Sequence, residues 1–179
     1  MVKVKPSKTG QIDLFTVEES GGQKSIFDSS YKTIEATNVN YKLVDNVSDC
    51  IALVEKLMVL KSFAFDTETS SLNALGAEIV GMSFSYKAKE AYYVPIPTNS
   101  KEIDEILAIF KPLFENERIE KVGQNIKYDY HILANYGIEL KGRFFDTMIA
   151  HYLLQADMRH NLTVLAETYL NYSPIKIET

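Results

Sequence analysis

The chain has 179 residues, 46% hydrophobic and 24% charged, with a net charge of -5. That length supports one sizeable core, no apolar stretch approaches the roughly twenty residues of a membrane span, and the start lacks a signal-peptide pattern. A single cysteine, Cys50, excludes an internal disulfide and points to a reducing cytoplasm. The acidic balance argues against a stand-alone DNA-binding module, and less strongly against a nuclease whose acids are offset by bound cations.

In chain order, residues 1–40 are polar, with Gly21-Gly22 and only isolated apolar pairs such as Leu14-Phe15 and Ile26-Phe27. They read as a linker or arm that is partly disordered. A short strand is predicted over 41–44. A helix follows with Ser48 as its cap and Ile51, Val54, Leu57 and Met58 as its apolar stripe, which makes Cys50 a small core or half-buried residue. Strands over 62–67, 78–86 and 91–96, with turn residues around Asn73 and Gly76, predict a meander that Pro95 and Pro97 close. The spacing of Ile103, Ile106, Leu107, Ile109 and Phe110 predicts a helix over 101–114. Next come a strand over 119–122, a helix ended by Gly137, a strand over 143–145, and helices over 146–154 and 161–170. Together these elements predict an α/β domain with a mixed sheet, spanning 41–179.

Two motifs carry chemistry. The apolar run Ser62-Phe-Ala-Phe65 ends in Asp66-Thr67-Glu68. Residues two apart on a strand share a face, so the two acids project together. Paired carboxylates at the end of a buried strand repel one another, and a hard divalent cation such as magnesium or manganese resolves the conflict. Solvated acids at a strand end are the alternative. The second motif, Gly123-Gln124-Asn125-Ile126-Lys127-Tyr128-Asp129, opens a helix, with Asn125 suited to cap it and Asp129 one turn inside. Gln124, Asn125 and Tyr128 offer amide and phenol groups suited to a nucleotide, although Tyr128 suits the core equally well. Asp146 reads as a helix cap. His131, His151 and His160 form no His/Cys ligand pattern, though His160 suits the orienting of a loop.

Phe65-Asp-Thr-Glu-Thr-Ser-Ser-Leu72 and Gly123-Gln-Asn-Ile-Lys-Tyr-Asp129 resemble the first two motifs of the proofreading 3'-5' exonuclease domain in family A DNA polymerases of the bacterial polymerase I type. Ala91-Tyr-Tyr-Val-Pro-Ile96, Phe145-Asp-Thr-Met-Ile-Ala-His-Tyr-Leu-Leu154 and His160-Asn-Leu-Thr-Val-Leu-Ala-Glu-Thr-Tyr-Leu170 resemble the same family. The resemblance implies an RNase H-like fold with a mixed five-stranded sheet flanked by helices. It also implies a DEDD-type site holding two divalent ions, Mg2+ or Mn2+, on Asp66, Glu68 and Asp129. Thr67, Leu72, Gln124, Asn125 and Tyr128 are implied to contact the single-stranded 3' end of DNA, with Leu72 wedged against the terminal base. The implied partner is the polymerase domain of a longer chain, with no membrane contact and a monomeric state.

One departure stands out. The family's third motif, a tyrosine four residues before an aspartate on a helix, does not occur after Asp129, because Tyr152-Leu-Leu-Gln-Ala-Asp157 is one residue too long. The expectation is a fragment of a longer polymerase, truncated before its fourth carboxylate, that binds metal weakly and is nearly inactive alone. Two other readings remain: a stand-alone RNA-trimming exonuclease resembling ribonuclease D, and a non-catalytic spacer beside a polymerase domain.

Overall fold

The computed structural model describes residues 31–175, so the arm expected over 1–40 lies, up to residue 30, outside the described residues. Where that arm's end is described, the Lys32 amide donates to Asn171 O and the Ser173 amide donates to Lys32 O, both at 2.9 Å. This stretch therefore joins the last segment of the domain instead of standing free.

The sheet is built from β1 (Asn40–Leu43), β2 (Ser62–Thr69), β3 (Ile79–Lys87), β4 (Glu90–Pro95), β5 (Glu120–Gly123) and β6 (Phe144–Asp146). Their order in space is β1-β4-β3-β2-β5-β6. The antiparallel pairs β2–β3 and β3–β4 make the expected meander. Parallel pairing adds β1 beside β4, β5 beside β2 and β6 beside β5. The sheet is mixed as expected, with six strands among the described residues where five were expected, because the short strands at both edges join it. Strand alternation is clean on β2, where Phe63, Phe65 and Thr67 are buried while Asp66 and Glu68 are exposed.

Among the described residues five helices accompany the sheet: α1 (Val47–Met58), α2 (Ser100–Phe114), α3 (Ile126–Asn135), α4 (Thr147–Leu154) and α5 (Leu162–Leu170). The cap of α1 is Asn46, not Ser48. Its side chain accepts from the Asp49 amide at 2.9 Å, and Ser48 already lies inside the first turn. Cys50, Leu53 and Leu57 follow at helical spacing and are buried. Phenylalanines fasten α2 to the meander. Phe84 stacks on Phe110 with centroids 5.1 Å apart, and Phe65 meets Phe114 edge-on at 5.2 Å. Such contacts contribute about 1 kcal/mol each beyond the area they bury. Gly137 leaves α3 at φ +70, a conformation that costs glycine nothing.

On β5, Lys121 is fully buried and donates to the carbonyls of Asn116 and Lys141, the latter at 2.7 Å. Burial pushes its amine down to about 8. Its stem fills core volume while its head ties two loops to the sheet. No helix among the described residues is long and apolar enough to cross a membrane.

Candidate active site

Three neighbouring strands, β2, β5 and β6, run parallel, so their carboxyl ends meet at one edge of the sheet. Ligands of open α/β sheets collect at such an edge. β2 delivers Asp66 and Glu68 there. β5 leads through Gln124 and Asn125 into α3, which carries Tyr128 and Asp129, and β6 ends at Asp146, paired in register with Gly123.

Asp66 feels the crowding most. Its carboxyl is pushed up to about 6, first by burial and then by the charges of Asp129 and Glu68, although its side chain stays exposed along one side. Between Glu68 and Thr69 the register against β3 shifts, which bends the strand just beyond the acids. Asp129 is the buried member, 2% exposed. The amide of Thr67 donates to its Oδ1 at 2.9 Å, and the Thr67 hydroxyl donates to the same oxygen at 2.6 Å. Burial raises the Asp129 carboxyl, the two Thr67 bonds oppose the rise, and the charge of Asp146 adds to it. Thr67 thus faces away from Asp66 and Glu68 and holds Asp129.

The second motif differs from its sequence reading at the cap. Asn125 occupies the N-cap position of α3 in the left-handed region, φ 59, and its side chain makes no capping bond. Asp146 supplies the acceptors instead. Its Oδ2 accepts from the Ile126 amide at 2.9 Å, and its Oδ1 accepts from the Asn125 amide at 3.2 Å. The same carboxylate caps its own helix, α4, accepting from Met148 and Ile149 at 2.9 and 3.2 Å. Asp146 is thus a cap, as its position predicts, but it caps two helices.

The other expected contact residues divide by exposure. Gln124 is half-buried with both ends of its amide engaged: Thr147 Oγ1 donates to its Oε1, and its Nε2 donates to His160 O at 2.6 Å. The Tyr128 hydroxyl donates to Ser71 O at 2.5 Å and lies 2.5 Å from Thr69 Oγ1, which pins the loop after β2. That loop presents Leu72, 96% exposed, four residues after Glu68. Asn125 is exposed.

Sequence reasoning also missed a histidine pair. His151 is buried, its Nδ1 lies 2.7 Å from His160 Nδ1, and its Nε2 lies 3.0 Å from Tyr169 Oη. Neither spacing matches a known ligand pattern, so only the packing of α5 against α4 reveals it. The backbone carbonyl of His160 receives the Gln124 amide.

The donor chemistry suits a hard divalent cation, with three carboxylates near one sheet edge and two of them, Asp66 and Asp129, raised above the ordinary range, first by burial. Among the described residues, however, no three acidic, histidine or cysteine side chains converge as a ready-made cage.

The fold is one that solved nucleases share. Brucella melitensis NrnC superposes with a TM-score of 0.63 in its structure bound to pGG, at 20% identity, covering 79% of this chain and 65% of that one. A structure of the same protein with bound Mg2+ gives 0.61 at 20% identity, covering 79% and 66%. Escherichia coli RNase D, an exoribonuclease involved in structured RNA processing, gives 0.61 at 17% identity, covering 75% and 34%. These likenesses establish the RNase H-like fold. The chain itself belongs to the 3'-5' exonuclease family, whose profile matches residues 41–179. DNA polymerase I of Borreliella burgdorferi is 39% identical over 184 residues, covering 96% of this chain and 20% of that relative. DNA polymerase I of Pseudomonas aeruginosa is 39% identical over 149 residues, covering 78% and 16%. The chain therefore spans about a fifth, or less, of the length of these relatives.

Proposed function

We propose that residues 41–179 act as the proofreading 3'-5' exonuclease domain of a DNA polymerase I, hydrolysing the terminal phosphodiester of a single-stranded DNA 3' end. The P–O3' bond breaks, a water oxygen bonds to phosphorus, the freed 3' oxygen takes a proton, and a nucleoside 5'-monophosphate leaves. The observation that carries this reading is the joint delivery of Asp66, Glu68 and Asp129 to one edge of three parallel strands, in a chain whose 3'-5' exonuclease profile spans that edge.

Asp66, Glu68 and Asp129 would hold two divalent ions, Mg2+ or Mn2+. Such ions, when bound, supply charge for the phosphate and a nucleophile at neutral pH. The protein's own groups do the rest. Thr67 keeps the Asp129 carboxylate in place from behind. Leu72 offers an apolar edge against the terminal base. Asn125, Gln124 and Tyr128 flank the path of the strand, the last two fixing loop geometry through bonds already made within the fold. The partners in this reading are the frayed 3' end and the polymerase domain of a longer cytoplasmic chain, with this domain monomeric. The identity to DNA polymerase I relatives favours DNA over RNA as substrate.

Mn2+ calorimetry on the 179-residue chain, with and without a single-stranded DNA oligonucleotide, tests the assignment against Asp66→Ala. Uptake that the substitution abolishes is expected. Equal uptake by both proteins would place the metal elsewhere and remove the basis for the site.

A further inference from the structure

We propose that Asp146 is a positioning residue for the candidate site: by fixing where α3 begins, it sets the Asp129 carboxylate against Thr67.

The arrangement begins at the end of β5. Parallel pairing with β6 places Gly123 opposite Asp146, after which the two chains diverge into α3 and α4. Each helix begins with amides that lack intrahelical acceptors. α4 finds its acceptor in its own N-cap residue, Asp146. α3 has no such recourse, because Asn125 is left-handed and its side chain makes no capping bond. One carboxylate therefore receives four amides, from Asn125, Ile126, Met148 and Ile149. An ionised acceptor near two helix N-termini is favoured by both dipoles.

Thr147 adds a second tie, its hydroxyl donating to Gly123 O at 3.1 Å and also bonding to Gln124. The turn that launches α3 is thus held from β6 and α4 as well as by its own backbone. Asp129 sits one turn into that helix, and its position against Thr67 depends on where the turn begins. An asparagine at 146 retains one oxygen for the α4 amides but presents an NH2 group where Ile126 needs an acceptor. That exchange separates the two caps.

This inference rests on the exonuclease reading only for its consequence; its test has a readout that needs no metal. In the 15N-labelled 179-residue chain, the Thr67 amide reports directly on its carboxylate acceptor through its downfield shift. Asp146→Asn is expected to lose much of that shift and to move the resonances of Ile126 to Asp129. Asn46→Ala, which removes the ordinary cap of α1, is expected to lower the melting temperature while leaving Thr67 where it is. A wild-type Thr67 resonance in Asp146→Asn would overturn the proposal, whatever happens to stability. Mn2+ titration adds the consequence, with affinity expected to fall on the order of tenfold in Asp146→Asn and to hold in Asn46→Ala. Absence of Mn2+ uptake by the wild-type chain would count against the metal reading alone, because the Thr67 resonance still decides the part played by Asp146.

Discussion

The meander and α2 share a continuous aromatic core: Phe63, Phe65, Phe84, Phe110 and Phe114 are all buried and linked ring to ring, Phe110 through Phe84. The α4–α5 region is built differently. Each of its helices buries one residue, His151 in α4 and Ala166 in α5, while Leu153, Leu154, Leu162 and Leu170 are exposed. What holds that region is polar: the Asp146 carboxylate, the Thr147 hydroxyl, and the chain from Gln124 through His160 and His151 to Tyr169. The acids of β2 therefore stand on the firmly packed side, whereas the support of α3 reaches across to the polar side. A site assembled this way has its metal-facing strand fixed by packing and its third carboxylate adjusted by hydrogen bonds.

The contrast is broken most directly in the core. Phe84→Ala removes a ring that contacts Phe63, Phe110 and Phe114 and should cost about 3–5 kcal/mol. Urea denaturation should show the midpoint falling across the whole domain. The matching truncation on the other side, Leu153→Ala, starts from a residue 77% exposed and should stay within about 0.5 kcal/mol. Comparable losses from the two would erase the distinction.

A subtler probe acts on the polar side alone. His151→Phe keeps an aromatic ring, somewhat larger, but removes both nitrogens that face His160 and Tyr169, a loss of about 1–2 kcal/mol. Native-state hydrogen exchange should register it as faster exchange in α4 and α5, with β2 and β3 unchanged. Uniform acceleration would instead mean that the two regions open as one.

The same contrast explains what the sequence made legible. The meander, α2 and the paired acids of β2 follow from period-2 and period-3.6 patterning, because burial on one face imposes that pattern. The RNase H-like fold and the exonuclease family followed from the two acid motifs and the text between them. The misreadings fall where a partner distant in sequence decides. Ser48 and Asn125 have the right chemistry for caps, yet Asn46 precedes the first, and Asp146, 21 residues downstream of Asn125, replaces the second. Thr67, which the family resemblance implies as a substrate contact, alternates onto the buried face of β2, and there it bonds Asp129 from α3, 62 residues downstream. The count of five strands came from the family resemblance, whereas the strand predicted over 41–44 is β1, exposed along its whole length, and it makes the sixth.

A smaller effect than the loss of a core ring belongs to the acids themselves, and pH isolates it. With its carboxyl at about 6 against an ordinary 3.8, Asp66 keeps its proton to higher pH in the folded chain than in the unfolded one. In metal-free protein, ionising it therefore penalises the folded state, and the penalty grows as pH rises from about 4 to about 6 and then levels off. Asp66→Asn should accordingly stabilise the chain at pH 7 by about 1 kcal/mol, a figure kept well below the full shift because the side chain is exposed. The gain should shrink to a small remainder by about pH 4, where the folded carboxyl is protonated and the unfolded one about half so, and vanish by about pH 3. Denaturant midpoints of the two proteins in EDTA at pH 4 and pH 7 give the difference directly. A gain that persists in full at pH 4 would trace it to packing instead of charge. Repeating the pH 7 measurement with Mn2+ should reverse the order, since a cation bound to the folded state stabilises only the protein that retains its ligand. Reversal would show that the crowding which weakens β2's end without metal is the same feature that makes it a cation site.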